Sequence, residues 1–169
     1  MHKIYSYVGP ESIRKRSLSA MAGVRIRSAR DLKEWLCESY QFPSSGGLVA
    51  VTFVVDEQSE LRVADRHSEH IACSVGRPVF SAGELFLVVS DTGIEVREAS
   101  NQSTGFCPEP SSWPAVAEAL DGAGILHPGR FTLEVIFRRC PRCGERNVVK
   151  DGWFVCGMCG GTLPDNWNF

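Results

Sequence analysis

The strongest constraint on this chain lies near its C-terminus. There the turn Cys-x-x-Cys-Gly occurs twice, as Cys140-Pro141-Arg142-Cys143-Gly144 and as Cys156-Gly157-Met158-Cys159-Gly160, with twelve residues between the two cysteine pairs. A two-residue gap turns both sulfurs of a pair toward one point while backbone N–H groups bond to them, and the glycine that follows accepts the positive φ of a tight knuckle. Each knuckle supplies half of a tetrahedron. The spacing therefore predicts one zinc ion bound by Cys140, Cys143, Cys156 and Cys159. Four protein thiolates close the shell, which marks the ion as structural, because catalytic zinc keeps one coordination position open. A redox role for one CxxC pair would leave its matching partner unexplained.

Between the knuckles, Asn147-Val148-Val149 and Trp153-Phe154-Val155 flank Lys150-Asp151-Gly152. Asp-Gly between apolar runs predicts a hairpin that folds one pair onto the other. With these features residues 138–164 resemble a zinc ribbon of the rubredoxin-like kind. The resemblance implies a metal and a local fold but no particular task, since ribbons serve transcription factors, ribosomal proteins, enzymes and adaptors alike. Upstream, Phe131, Leu133, Val135 and Phe137 alternate as in a strand that runs into Cys140 without a flexible linker. The ribbon, residues 139–169, is thus expected to pack on what precedes it, with Trp167 and Phe169 tucked in rather than solvated.

Residues 1–138 read as one α+β domain, rich in β-hairpins and carrying two short helices. With 43% hydrophobic and 22% charged residues, the 169-residue chain can bury one ordinary core plus a metal-stapled appendix. Ser28-x-x-Asp31 predicts a helix start, and Leu32, Trp35, Leu36 and Tyr40 recur at helical spacing over 29–40, ahead of a stop at 42–47. The apolar run 48–55, the polar turn 56–60 and Leu61-Arg62-Val63 predict a hairpin, and 85–89 with 94–96 a second one. A short strand is expected within 2–8. Ser112 is placed to cap a helix over 113–120, with Pro114 in its first turn and Gly122 as its stop.

Seven cysteines form no even disulfide framework, so Cys37, Cys73 and Cys107 are expected as reduced thiols. No apolar run approaches the roughly 18 to 20 residues that span a bilayer, and residues 1–7 lack the apolar core of a secretion signal; a cytoplasmic protein with no membrane role is the expectation. The net charge of -2 hides an acidic middle, with four Lys/Arg against twelve Asp/Glu over 44–129, between two basic ends. Arg14-Lys15-Arg16 with Arg25, Arg27 and Arg30 suits a solvated face or pairing with that middle better than a phosphate site.

Three polar clusters interrupt the apolar pattern: Arg66-His67-Ser68-Glu69-His70-x-x-Cys73, Ser81-Ala82-Gly83-Glu84, and Ser100 to Pro108. If the hairpins bring them together, His67, Glu69, His70, Glu84, Asn101, Ser103 and Cys107 are candidates for acid/base or nucleophilic work. His67, His70, Cys73 and Cys107 are a weaker candidate for a second metal site. Duller roles weigh more: a thiol before proline is usually a small buried hydrophobe, and a polar residue at a strand entry usually satisfies backbone groups. His67-Ser68, Ala82-Gly83-Glu84 and Ser103-Thr104-Gly105-Phe106-Cys107-Pro108 also resemble the module written HSSF, AGE and SGHYxP that occurs in plant IQ-motif calmodulin-binding proteins and in bacterial toxin-associated proteins. That resemblance covers 66–127 and implies a β-rich domain. This chain departs from it at Thr104 and in lacking the histidine after glycine, and it has no IQ motif, so calmodulin binding does not carry over.

The leading expectation for function is a protein-interaction or adaptor module with a structural zinc ribbon. An enzyme, or an inactive relative, using the central His/Glu/Cys cluster is one alternative. Nucleic-acid binding by the ribbon is another, through Arg138, Arg139, Arg142, Arg146 and Lys150 with Trp153 and Phe154 as stacking groups.

Overall fold

A single fully buried strand organises the chain. In the computed structural model, which describes residues 1–17, 19–39, 41 and 47–169, every residue of β2 (Val49–Asp56) is buried. Its sequence, Val-Ala-Val-Thr-Phe-Val-Val-Asp, is apolar on both faces, as a central strand covered from both sides must be. Antiparallel partners flank it: β3 (Leu61–Asp65) returns through the 57–60 turn, and the long β4 (Val79–Ser90) runs on the other side. The short β1 (Val24–Ile26) and β5 (Gly93–Ser100) complete a five-stranded sheet in the order β1-β3-β2-β4-β5.

The alternation of side chains along these strands builds two cores. On one face Val51, Phe53, Val55, Leu61, Val63, Leu85 and Leu87 meet α2 (Ala29–Glu38) through Leu32 and Leu36, and α4 (Trp113–Gly122) through Ala115, Val116 and Leu120. On the other, Val54, Ala64, Val79 and Ala82 pack with Tyr5, Ile71, Cys73 and Phe106. These come from the N-terminal segment, from α3 (His70–Cys73) and from the loop after β5. The fold is α+β, with antiparallel sheets and a further helix, α1 (Glu11–Ser17), beside α3.

The predicted hairpins and both longer helices are present. Ser28 Oγ accepts the Asp31 N–H at 3.1 Å, while the Asp31 carboxylate takes the Arg27 N–H at 2.9 Å, so the cap forms as its sequence suggests. Tyr40 and the helix stop at 42–46 lie outside the described residues. Four local expectations change. Gly124, at φ +66, rather than Gly122, is the left-handed residue after α4. Ser112 makes no side-chain cap; its hydroxyl lies 2.9 Å from that of Ser81. Residues 2–8 form no regular strand, only one antiparallel bridge between Tyr5 and Val79. Within the expected strand 131–137, regular strand begins only at β6 (Ile136–Arg139), because residues 132 and 133 hang on the edge of β5 through N–H bonds to the Ala99 carbonyl. Leu133 accordingly faces outward, 54% exposed, while Phe131, Val135 and Phe137 are buried.

β6 pairs with β7 (Arg146–Val149) in a separate two-stranded sheet, the base of the C-terminal ribbon. Val135 and Phe137 join Cys107, Val8 and Phe169 in a small core between ribbon and body. Arg138 anchors the same junction. Although only 4% of its side chain is exposed, its guanidinium bonds Glu109 Oε1 at 2.7 Å and the carbonyls of Phe137, Pro164 and Asp165 at 2.7, 3.0 and 2.6 Å. A charge this buried persists only when paired and fully hydrogen-bonded. Trp167 completes the seam: its indole N–H donates to the Cys107 carbonyl at 2.7 Å and its ring meets Tyr5 edge-on.

Candidate metal centre

The two knuckles have the same backbone geometry. The Cys140 and Cys156 amides donate to the carbonyls of Glu145 and Gly161 at 2.8 Å, and the Gly144 and Gly160 amides return to the Cys140 and Cys156 carbonyls at 2.8 and 2.9 Å. Gly144 and Gly160 sit at φ +77 and +67, the conformation expected of them. Between the knuckles Asp151 and Gly152 both take positive φ, +52 and +70, and Lys150 pairs with Trp153, as in a type I′ turn. Phe154 turns inward beside Val149 and Leu163 under the cysteines.

This arrangement brings the four sulfurs within 4.8 Å of one another. Cys140 and Cys159 lie 3.6 Å apart, as do Cys143 and Cys156, so the close pairs run between knuckles. A tetrahedral ion with metal–sulfur bonds of about 2.3 Å requires sulfurs about 3.8 Å apart. The four side chains fit one such ion without a change of backbone. Cys140 and Cys156 are buried, Cys159 is half-buried and Cys143 is exposed, which leaves one side of the site toward solvent.

The hydrogen bonds favour thiolates at Cys140 and Cys156. The Cys143 amide, and then that of Arg142, hold the Cys140 thiol below its ordinary range. For Cys156 the Cys159 amide is the largest influence, followed by the Met158 amide, the Cys143 thiol and the Asn147 carboxamide; against desolvation they lower it to about 6. Cys143 moves the other way. The Glu145 amide alone would lower it, but desolvation and donation toward the three other sulfurs raise it to about 12. Four sulfurs this close cannot all ionise without a cation to hold them, and proton release is coupled to metal binding.

Asn147 is a neighbour of the cysteines that their spacing does not reveal. It stands on β7 opposite Arg138. Its carboxamide oxygen accepts the Gly157 N–H at 2.9 Å, and its nitrogen donates to the Glu145 carbonyl at 2.9 Å and toward Cys156 Sγ at 3.5 Å.

The central polar residues meet as packing and hydrogen bonds. His67 is exposed in the turn after β3, with its amide bonded to Asp65 Oδ1 at 2.8 Å, and lines a surface cleft together with Glu69, Arg16, Ser17 and Met21. His70 points its Nε2 at the Gly83 carbonyl, 3.0 Å away; that carbonyl accepts, so Nε2 carries the proton. Burial of the ring lowers the His70 pKa, and the bond to Gly83 offsets this only in part. Glu84 is half-buried on β4, in register with Thr52 and Ser100. The buried Asn101 side chain donates to the carbonyls of Pro108 and Val135 at 2.8 and 2.7 Å and accepts the Val135 N–H at 2.7 Å, clipping the loop to the strand entering the ribbon. Ser103 Oγ is buried with no hydrogen-bond partner among the described residues.

Cys107 is fully buried at φ +48, and its thiol, raised by burial to about 11, donates to the Thr104 carbonyl at 3.5 Å. It lines a small cavity against the ribbon with Phe137, Arg146 and Val148, separate from the His67 cleft. Cys73, raised by burial to about 12, is likewise an internal thiol. Of the groups assigned to a nucleic-acid face, Arg138 is buried and Phe154 is half-buried against the ribbon core. Arg146 bonds the Thr104 carbonyl, and the Arg139 guanidinium lies over the Phe169 ring.

No family model, curated protein or solved structure matches this chain. The resemblance of 66–127 to the calmodulin-binding and toxin-associated module gains no support from them. No helix among the described residues is long and apolar enough to cross a membrane.

Proposed function

We propose that the chain is a zinc-binding protein in which one structural ion fixes the C-terminal ribbon against the α+β body, and that the assembled surface serves a protein partner rather than chemistry at the metal. The observation that carries this reading is the four-cysteine cluster, with sulfurs at tetrahedral spacing and no fifth His, Cys, Asp or Glu in the group among the described residues. Zinc suits an all-thiolate tetrahedral shell, and a shell closed by four protein ligands supports a structural role. The seam made by Arg138–Glu109 and Trp167 supports a ribbon that belongs to the body's surface.

The outer face of the ribbon supports the choice of a protein partner. Trp153 is 74% and Met158 75% exposed, alongside Val155, so the ribbon shows solvent large apolar side chains that its own core does not use. Chemistry at the central residues is less well supported: Asn101 is committed to backbone, His70 holds Gly83, and His67 and Cys107 line different cavities.

Metal analysis and native mass spectrometry of the purified full chain test the metal reading, with one zinc per chain expected. Cys143→Ser should lose the ion and the order of the ribbon; a variant that stays folded and metal-loaded refutes the four-thiolate assignment. For the partner, Trp153→Ser with Met158→Ser should abolish capture of a stoichiometric protein from the native host while zinc stays bound. Unchanged capture would remove the ribbon face from the account.

A further inference from the structure

The Asn147 side chain is the only one outside the four cysteines that the described hydrogen bonds carry to a metal-site sulfur, and it touches both knuckles at once. Its oxygen takes the N–H of Gly157, the residue directly after Cys156. Its nitrogen bonds the carbonyl of Glu145, whose own amide approaches Cys143 and whose carbonyl also receives the Cys140 amide. Both N–H groups and the oxygen of the carboxamide are engaged, so the group has one orientation. Turning the carboxamide by 180° would set its oxygen against a thiolate and a carbonyl and its nitrogen against an N–H donor. The side chain is thereby locked with a donor toward Cys156.

We propose that Asn147 is a positioning residue of the metal site: it joins the two knuckles in the register that one tetrahedral ion requires, and its N–H tempers the charge of the Cys156 thiolate. The proposal rests on the metal-binding reading above. The physical reason is that thiolate ligands donate less charge when they accept hydrogen bonds, and that partners of this kind orient ligands that the metal alone would not hold in place. No other side chain of this length meets all three contacts. Aspartate keeps the acceptor for Gly157 but presents an oxygen to the sulfur, and alanine keeps neither.

The test uses the full chain as wild type, Asn147→Ala and Asn147→Asp, with Lys150→Ala as a ribbon control. Zinc affinity is measured by competition with a chromophoric chelator, and cobalt(II) is substituted as a spectroscopic probe. Both Asn147 variants should bind zinc about 10- to 100-fold more weakly than wild type and control. Their thiolate-to-cobalt charge-transfer bands should move to lower energy while the ligand-field bands stay tetrahedral, a change that loss of packing alone does not produce. If the alanine variant loses the ribbon altogether, the aspartate variant decides. Affinity and bands equal to wild type in a folded variant would overturn the role of Asn147 and leave the metal reading standing. A wild-type chain that binds neither zinc nor cobalt would overturn both.

Discussion

His70 shows how a residue with the chemistry of a general base can be held in a structural part. Its Nε2–H bonds the Gly83 carbonyl and its ring is withdrawn from water, so the neutral form is favoured and the folded-state pKa lies below the ordinary 6.5. The sign of the pH dependence follows. Above 6.5 the imidazole is neutral in both states and its contribution is fully present. As pH falls from there toward the folded-state value, the unfolded chain takes up a proton that the folded one refuses, and stability drops. Urea titrations should show that decline beginning near pH 6.5, with a smaller slope in His70→Gln; equal slopes would mean that His70 titrates alike in both states. Gly83 is constrained from the other side of the strand. A Cβ there would lie 1.9 Å from the Ser100 carbonyl oxygen, a backbone atom that cannot swing away. Gly83→Ala should cost about 3 kcal/mol by denaturant unfolding, and a loss below about 1 kcal/mol would show that β4 and β5 separate more readily than their pairing suggests.

Among the elements, the junction between β6 and the loop after β5 carries the most concentrated polar bonding. Among the described residues Glu109 supplies the one carboxylate bonded to Arg138, and removing it leaves a buried guanidinium with backbone carbonyls as its acceptors there. Glu109→Ala should lower stability by about 3 kcal/mol and raise protease cleavage after residue 138, whereas an unchanged unfolding midpoint would mean that the ribbon docks by its apolar contacts. Much of this architecture was legible beforehand. The cap at Ser28, the apolar run of β2, the two hairpins and the two cysteine knuckles with the turn between them follow from local rules of capping, alternation and turn chemistry, and those rules need no knowledge of the rest of the chain. What escaped them was set by distant partners. Residues 131–135 read as strand by alternation, but the Thr132 and Leu133 amides bond the edge of β5 and the Val135 amide bonds the Asn101 side chain, and Ser112 reads as a cap but faces Ser81 on another element. The candidate metal ligands were legible because their spacing is itself the signal. Asn147, a lone polar residue between Arg146 and Val148, carried none, and neither did the pairing of Glu109 with Arg138 across 29 residues.

At the scale of the molecule, an ion at the four cysteines should order more than the ribbon. The ribbon, through Phe137 and Trp167, covers the loop that buries Cys107, whereas Cys73 is sealed by the second face of the sheet and α3. With metal bound, alkylation at pH 8 should modify Cys37, which is exposed, and spare Cys73 and Cys107, whose thiols are raised to about 12 and about 11. Chelation should then open Cys107 together with the four ligand cysteines while Cys73 stays protected, as peptide mass spectrometry of the labelled chain would show. Protection of Cys107 after metal loss would confine the effect of the ion to the ribbon. X-ray absorption at the zinc edge of the purified chain asks directly whether one closed thiolate shell exists. One zinc per chain is expected, with four sulfur neighbours at about 2.3 Å and no lighter atom in the shell; a nitrogen or oxygen neighbour, or a chain that carries no zinc, would contradict a structural four-cysteine site.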